Sequence, residues 1–388
     1  MKLESKGRRK ILQGALGSGI LAAGAASFPA WMMPALAQGE VLVAFTDVPD
    51  TFQPREKRPG GNFFQDTRNI TNFYSRNDDQ FYVVQHYGQP ELDLANYKLQ
   101  VTGMVDNPME LSLSQISNRD VHEMDAGWEC GGNRETIFNG LIGNGRWRGV
   151  SLRSLLEQAG IQDGAKEIVF FGGDIGSEEI RGRDVPKAFA RSLSVEDAMR
   201  PENMLAFEMN GEPLPLFHGR PLRLIVPGWY GVANVKWLTQ IHVQSTRYMG
   251  RFMGRDYVTL KRENVGGVER WVENSVTTIN LKSAIVRVTR LGNQHRIQGF
   301  VLNDGTPLQS VEVKIDNGPW QAAEVNPRSS QYSWKLFNFN WENAAAGDHT
   351  IVSRATDING HVQPTQDEVP EKISNWENFA QFPRTVRI

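Results

Sequence analysis

Gly127-Trp128-Glu129-Cys130-Gly131-Gly132-Asn133-Arg134-Glu135 is the stretch on which the reading of this chain turns. It holds the single cysteine among 388 residues. The two glycines after that cysteine let the backbone take conformations other residues resist, and let a ligand come close. Arg134 is of the type that lowers a nearby thiol's pKa and holds an anion. A thiolate is a soft ligand suited to a transition metal. Taken alone, however, a lone cysteine is more often a small buried apolar residue than a ligand. One cysteine also excludes an internal disulfide, a Cys-x-x-Cys-His haem attachment motif and any cysteine-rich iron–sulfur or zinc site within this chain.

Toward the N-terminus the chain reads as a targeting segment. Arg8-Arg9-Lys10 opens it, an Ala/Gly-rich apolar stretch runs to Phe28, and Ala35-Leu36-Ala37 is a small-x-small cleavage site. That order predicts a signal peptide over residues 1–37 rather than a membrane span. The paired arginines point to the twin-arginine route, which carries folded proteins, and so to the periplasm. Such a route suits a chain that must take up a complex cofactor before export. Residues 38–72 form a polar, Pro/Gly-punctuated extension with no sustained period.

The mature chain has the texture of an α+β protein. Leu99–Gly103 alternates as a strand does, and Leu111–Ser114 leads to a short helix at Gln115. Ser151–Ala159 carries leucines at 152, 155 and 156 and stops at Gly160, which predicts a capped helix. Lys166–Phe171, Leu222–Val226 and Lys236–Val243 read as strands, and Val195–Met199 as a short helical piece. Beyond residue 245 the helical signals fade. Ala284–Val288, Ile297–Leu302, Val311–Ile315 and His349–Ala355 are strand-like, with Asn303-Asp304-Gly305 and Asp316-Asn317-Gly318 as turns. Short strands at this spacing predict a β-sandwich of immunoglobulin-like type. The expected division is a catalytic domain over 73–250 and a sandwich over 251–388, with the boundary in the Arg-, Gly- and Asn-rich stretch 246–275. A formal net charge of -2 gives no basic field for nucleic acid.

Cys130-Gly131-Gly132-Asn133-Arg134 resembles the Cys-Ala-Gly-Asn-Arg signature of the sulfite oxidase family, whose cysteine binds molybdenum. Other blocks join it in order. Phe73-Tyr74-Ser75-Arg76-Asn77 looks like the family's Phe-x-Arg-Asn-His segment. Phe170-Phe171-Gly172-Gly173-Asp174 is similar to the segment whose aspartate approaches the pterin. Phe207-Glu208-Met209-Asn210-Gly211 through Leu214-Pro215, then His218–Arg223, is close to the family's most recognisable stretch, and Gly231–Trp237 completes it. The resemblance covers nearly the whole mature chain. It implies a molybdopterin domain followed by a dimerisation domain, and hence a possible homodimer.

The resemblance also assigns roles. Cys130 is the metal's thiolate ligand. Tyr74, Arg76, Asn77, Asp174, His218, Arg223, Asn234, Val235 and Lys236 fall on cofactor-binding positions. His218, Arg223 and Lys236 would meet the pterin phosphate, where charge-assisted hydrogen bonds are worth about 1.5–3 kcal/mol each. Arg76 and Arg134 match arginines that bind an anionic substrate, and Arg384 is a looser third match. The implied reaction is oxygen-atom transfer at molybdenum to a small reduced sulfur anion such as sulfite. Two electrons are then returned singly to a haem. No haem motif lies in this chain, so the implied acceptor is a separate protein, a c-type cytochrome. Three departures bear on the substrate. Glu135 stands where a second arginine usually follows the signature, the loop from Thr136 to Gly145 is short, and Phe207 replaces an active-site tyrosine. Arg146, Arg148 and Tyr257 are candidates to compensate. The alternatives are a sulfane dehydrogenase-type subunit or another small substrate. From a different class, there is a non-enzymatic exported binding protein with Cys130 simply buried.

Overall fold

Leu99 and Val101 are fully buried while their neighbours face outward, and this alternation makes Lys98–Gly103 a central strand. It pairs in parallel with Leu238–Gln244 and antiparallel with Met109–Ser112. Glu167–Ile180 joins the far side of Leu238–Gln244 and continues into Arg183–Ser194, completing a five-stranded sheet. A second sheet runs Val121–Glu129, Ile142–Ser151, Met204–Met209, Arg223–Ile225, all antiparallel. The computed structural model describes residues 36–48, 62–77 and 80–388. The leader expected over 1–37 therefore lies, apart from Leu36 and Ala37, outside the described residues. Among the described residues no helix is long and apolar enough to cross a membrane.

Helices are few and short. Leu152–Ala159 buries Leu152, Leu155, Leu156 and Ala159, is capped by the Ser151 hydroxyl, and ends at Gly160 with φ +71°. Leu113–Ser117 carries the reciprocal Ser112/Gln115 capping box. Strands otherwise dominate.

The stretch 246–275, where the domain boundary was expected, is folded. It holds the helical turn Arg251–Gly254 and the hairpin Val258–Ser275, broken only by Gly266-Gly267. Those glycines, at φ +63° and +86°, make the two-residue turn that hairpins favour. Both hairpin strands are largely exposed, so no apolar alternation announced them. Arg183–Ser194 likewise turns out of Glu167–Ile180 through Arg181-Gly182, both at positive φ.

The C-terminal part consists of two facing sheets. One runs Val41–Val43, Lys282–Leu291, Gln294–Leu302, Lys335–Trp341, Glu324–Val325; the other Gln321–Ala322, Leu308–Ile315, Asp348–Asp357, Arg384–Arg387. Ile285, Val288, Ile297, Val311, Val313, Phe337 and Ile351 fill the space between them. The edge strand Val41–Val43 comes from the N-terminal extension, which the sequence shows only as a polar stretch.

Candidate functional site

Cys130 lies where the strand Val121–Glu129 ends. Its N–H donates to the Leu141 carbonyl at 2.9 Å, and its carbonyl accepts from Asn133 N–H at 2.9 Å, turning the chain back. The Asn133 side chain pins this loop: Nδ2 donates to Glu129 Oε2 at 2.8 Å and to the Asn139 carbonyl, and Oδ1 accepts from Leu141 N–H. Glu129, 1% exposed, is paired with Lys282 Nζ at 2.8 Å. The result is a rigid turn with the cysteine buried at the wall of a cavity.

That cavity has a volume of about 60 Å³. Cys130, Asp174, His218, Arg223, Asn234 and Lys236 all line it. They come from four separate stretches of chain, so tertiary folding alone assembles them. Asp174 arrives through a bulge. Pairing between Glu167–Ile180 and Arg183–Ser194 shifts register between Phe171 and Ile175, which frees residues 172–174 from the ladder.

The electrostatics favour an anion. Arg223, 3% exposed, donates from Nη1 to the His218 carbonyl at 2.9 Å and from Nη2 to the Asn234 carbonyl at 3.1 Å. Its guanidinium lies over Trp128 and Trp147 at 5.2 and 5.0 Å. Burial pulls its pKa down to about 9, which still leaves it charged at neutral pH. Lys236 Nζ donates to the Phe217 carbonyl at 3.2 Å. Burial, and then repulsion from Arg223, lower the pKa of this ammonium, while Asp174 opposes the shift. Burial raises the Asp174 carboxyl, with Lys236 opposing. One acid thus faces one buried and one part-buried cation and a histidine. Asp174 Oδ1 and Arg223 Nε are buried without a hydrogen-bond partner. Such groups cost about 1–3 kcal/mol each unless a ligand meets them. This donor set fits a cofactor with a phosphate and hydrogen-bonding ring nitrogens, and the thiol beside it suits a metal.

Other expected residues stand elsewhere. Tyr74 donates its hydroxyl to Asp125 Oδ2 at 2.8 Å and accepts from Arg146. Arg76 is exposed, and Asn77 is tied to Asn210 and the Met209 carbonyl. None of the three lines the cavity. Val235 spends both backbone groups inside the fold, on Leu224 and Ala233. Arg134 Nε donates to Thr136 Oγ1, and Glu135 lines a separate polar cavity with Lys282 and Lys372. Arg384, 3% exposed, sits over Phe138 and Phe45 and beside Asp47, in the sandwich. Arg146 and Arg148 pair with Asp125 and Glu208, and Phe207 packs under Arg148.

The cavity instead receives Phe81, Tyr82, Val84, Gln85 and His86, and Tyr257. Tyr82-Val83-Val84-Gln85-His86 carries the terminal histidine of the Phe-x-Arg-Asn-His pattern, so the geometry moves that match from Phe73–Asn77 to here. The Arg-Asn pair at 76–77 drew the reading away. In the moved match, Val84 takes the arginine's place. His86 Nε2 lies 2.9 Å from the Tyr257 hydroxyl, and burial against Phe189 and Phe252 pulls the imidazole down to about 4.

Comparisons with known proteins agree with this arrangement. The oxidoreductase molybdopterin-binding domain matches residues 86–252. Mitochondrial sulfite oxidase of Drosophila melanogaster is 29% identical over 330 residues, covering 76% of this chain and 56% of that protein. Sulfite oxidase of Arabidopsis thaliana is 27% identical over 336 residues, covering 76% of this chain and 82% of that protein. The chain thus spans little more than half the length of the fly relative. The crystal structure of sulfane dehydrogenase SoxCD from Paracoccus pantotrophus shares the fold, with a TM-score of 0.73, 23% identity and 86% of each chain covered. The lone cysteine at the cavity wall, the ordered motifs around it and these relatives converge: the chain carries an oxidoreductase molybdopterin-binding domain over residues 86–252 and is similar in sequence to sulfite oxidases.

Proposed function

We propose that this chain is a molybdenum-dependent oxidoreductase acting on a small reduced sulfur compound, with sulfite as the first candidate and an external c-type cytochrome as electron acceptor. Cys130 is the thiolate ligand. Arg223, Lys236 and His218 hold the cofactor's phosphate, and Asp174 accepts from its pterin. When bound, the cofactor supplies two-electron oxygen-atom transfer. The protein's own part is to fix the sulfur ligand on a rigid turn, neutralise the phosphate and keep bulk water from the metal. The carrying observation is that one cavity gathers the only cysteine with buried Arg223, part-buried Lys236 and an unpartnered carboxylate oxygen. We place the protein in the periplasm after twin-arginine export, and read the sandwich as an immunoglobulin-like dimerisation domain.

The test is metal content with a spectrum. Protein from a host that makes the cofactor should contain molybdenum, and sulfite should bleach its oxidised absorption. Metal-free protein from such a host would sink the enzyme reading in favour of a binding protein.

A second reading keeps the enzyme and changes the substrate, either to another small molecule or to that of a sulfane dehydrogenase-type subunit. Among the described residues lining the cavity, Arg223 is the only arginine. Val84, Glu135 and Phe207 each stand where the family pattern has an arginine or tyrosine. Molybdenum without sulfite bleaching would favour this reading.

A further inference from the structure

A second cavity, with a volume of about 720 Å³, opens at the edge of the sandwich. It shares no lining residue with the Cys130 cavity. Strand Leu308–Ile315 of one sheet and Glu324–Val325 of the other flank it, and the two sides are tied where Ala323 N–H donates to the Val311 carbonyl at 2.8 Å. Leu308, Ala323 and Val325 pack against the core between the sheets but are only partly buried, so they give the cavity an apolar wall.

Two loops close its inner end. Gly305, at φ +101°, lies flat against the Tyr332 ring, where a Cβ would clash. Tyr332 in turn is fixed to the catalytic part: its carbonyl accepts from Gly127 N–H at 2.9 Å, and its hydroxyl donates to Glu202 Oε1 at 2.9 Å. Lys335 stands at this end, 7% exposed. Its Nζ donates to Asn303 Oδ1 at 3.0 Å and to the Gln331 carbonyl at 2.7 Å. An ammonium has three donors, so one is left without an acceptor among the described residues. Asp304 acts on it only from a distance, and Asp304 Oδ1 is taken by Thr306 N–H. Burial pulls the lysine down to about 8, which still leaves it charged at neutral pH. Ser329 Oγ, also of this lining, is buried without a hydrogen-bond partner. None of the described residues lining the cavity is acidic, and Lys335 alone is charged. Buried charges are ordinarily paired, because leaving water without a counter-charge is costly. A cavity with one unpaired cation, one idle hydroxyl and an apolar wall is therefore complementary to an anion with an apolar body.

We propose that this cavity is a binding site for a small amphipathic carboxylate, an aliphatic chain of about six to ten carbons ending in a single carboxylate. The head group accepts from Lys335 Nζ and Ser329 Oγ, and the chain lies along Leu308, Ala323 and Val325. A bare oxyanion would meet the lysine but leave the apolar wall wet, whereas a chain gains by covering it. The site is independent of the molybdenum reading of Cys130.

The test titrates octanoate into full-length protein by calorimetry at neutral pH, using wild type, Lys335→Met and Ser329→Ala. Octanol supplies the chain without the charge, and acetate the charge without the chain. Wild type should show a single saturable site for octanoate. Lys335→Met should weaken it about tenfold or more, and Ser329→Ala about two- to tenfold. Octanol and acetate should each bind wild type about tenfold or more weakly than octanoate. Absence of saturable octanoate binding overturns the proposal and leaves a water-filled cavity. Unchanged affinity in both variants overturns it as well, since the binding then lies elsewhere. Octanol as tight as octanoate refutes the role of the charge, and acetate as tight refutes the amphipathic class. If Lys335→Met does not fold, Ser329→Ala and the octanol comparison decide.

Discussion

Burial pushes the Cys130 thiol up to about 11, so by itself it is a neutral, unreactive group at pH 7. A coordinating metal reverses that preference, because a bound thiol gives up its proton outright. Cys130→Ser should therefore abolish turnover, and retained turnover of any substrate would refute the ligand role. Gly143 shows the same dependence on surroundings. A Cβ there would lie 2.5, 2.6 and 2.7 Å from three atoms of the Phe81 ring, which lines the cavity against Trp128, Trp147 and His218. Gly143→Ala is expected to lower stability by about 1–3 kcal/mol through overpacking, read by urea denaturation, and to weaken cofactor retention, read as molybdenum per chain.

Among the elements, the helix Leu152–Ala159 and the capping box at Ser112 were legible because their signals are local: leucine spacing, a hydroxyl cap, a terminal glycine. The bulge that delivers Asp174 and the hairpin that delivers Tyr257 were not. A bulge is a mismatch between two strands, visible only when both are paired. The turn strand–Cys130–loop is held from outside by Lys282, which comes from the strand Lys282–Leu291 and meets Glu129 at 2.8 Å with both partners buried. Lys282→Met should cost about 3–5 kcal/mol by leaving that carboxylate uncompensated. Adding Glu129→Gln should recover much of the loss in thermal unfolding; no recovery would show that the lysine acts through packing.

Among the described residues lie two apolar cores, one under the cavity and one within the sandwich. Val41–Val43, Phe45 and Arg384 tie the N-terminal segment into the second. Lys335 lies buried at the sandwich, with Nζ donating to Asn303 Oδ1 and the Gln331 carbonyl. Burial pulls its pKa from 10.5 down to about 8. Between those values the unfolded chain binds a proton that the folded chain has released. Stability attributable to this residue therefore rises with pH from about 8 to 10.5, and the full burial cost applies below that window. Lys335→Met should flatten the pH dependence of unfolding free energy across that window. An unchanged slope would place the effect on another group.

The amino-acid order by itself pointed to the sulfite oxidase resemblance, the candidate ligand Cys130, the candidate cofactor cations Arg223 and Lys236, and most strands, because each is written in contiguous motifs or local periodicity. Tertiary structure alone decided which residues share the cavity. It moved the Phe-x-Arg-Asn-His match from Phe73–Asn77 to Tyr82–His86, withdrew Arg76, Arg134 and Arg384 from the cavity lining, and brought Tyr257 to Cys130. Those placements depend on strand register, a bulge and contacts such as that of Asn378 with the Asn133 carbonyl, 245 residues away in the chain. Contacts at such separation are set by packing and shape, and no local pattern in the chain encodes them.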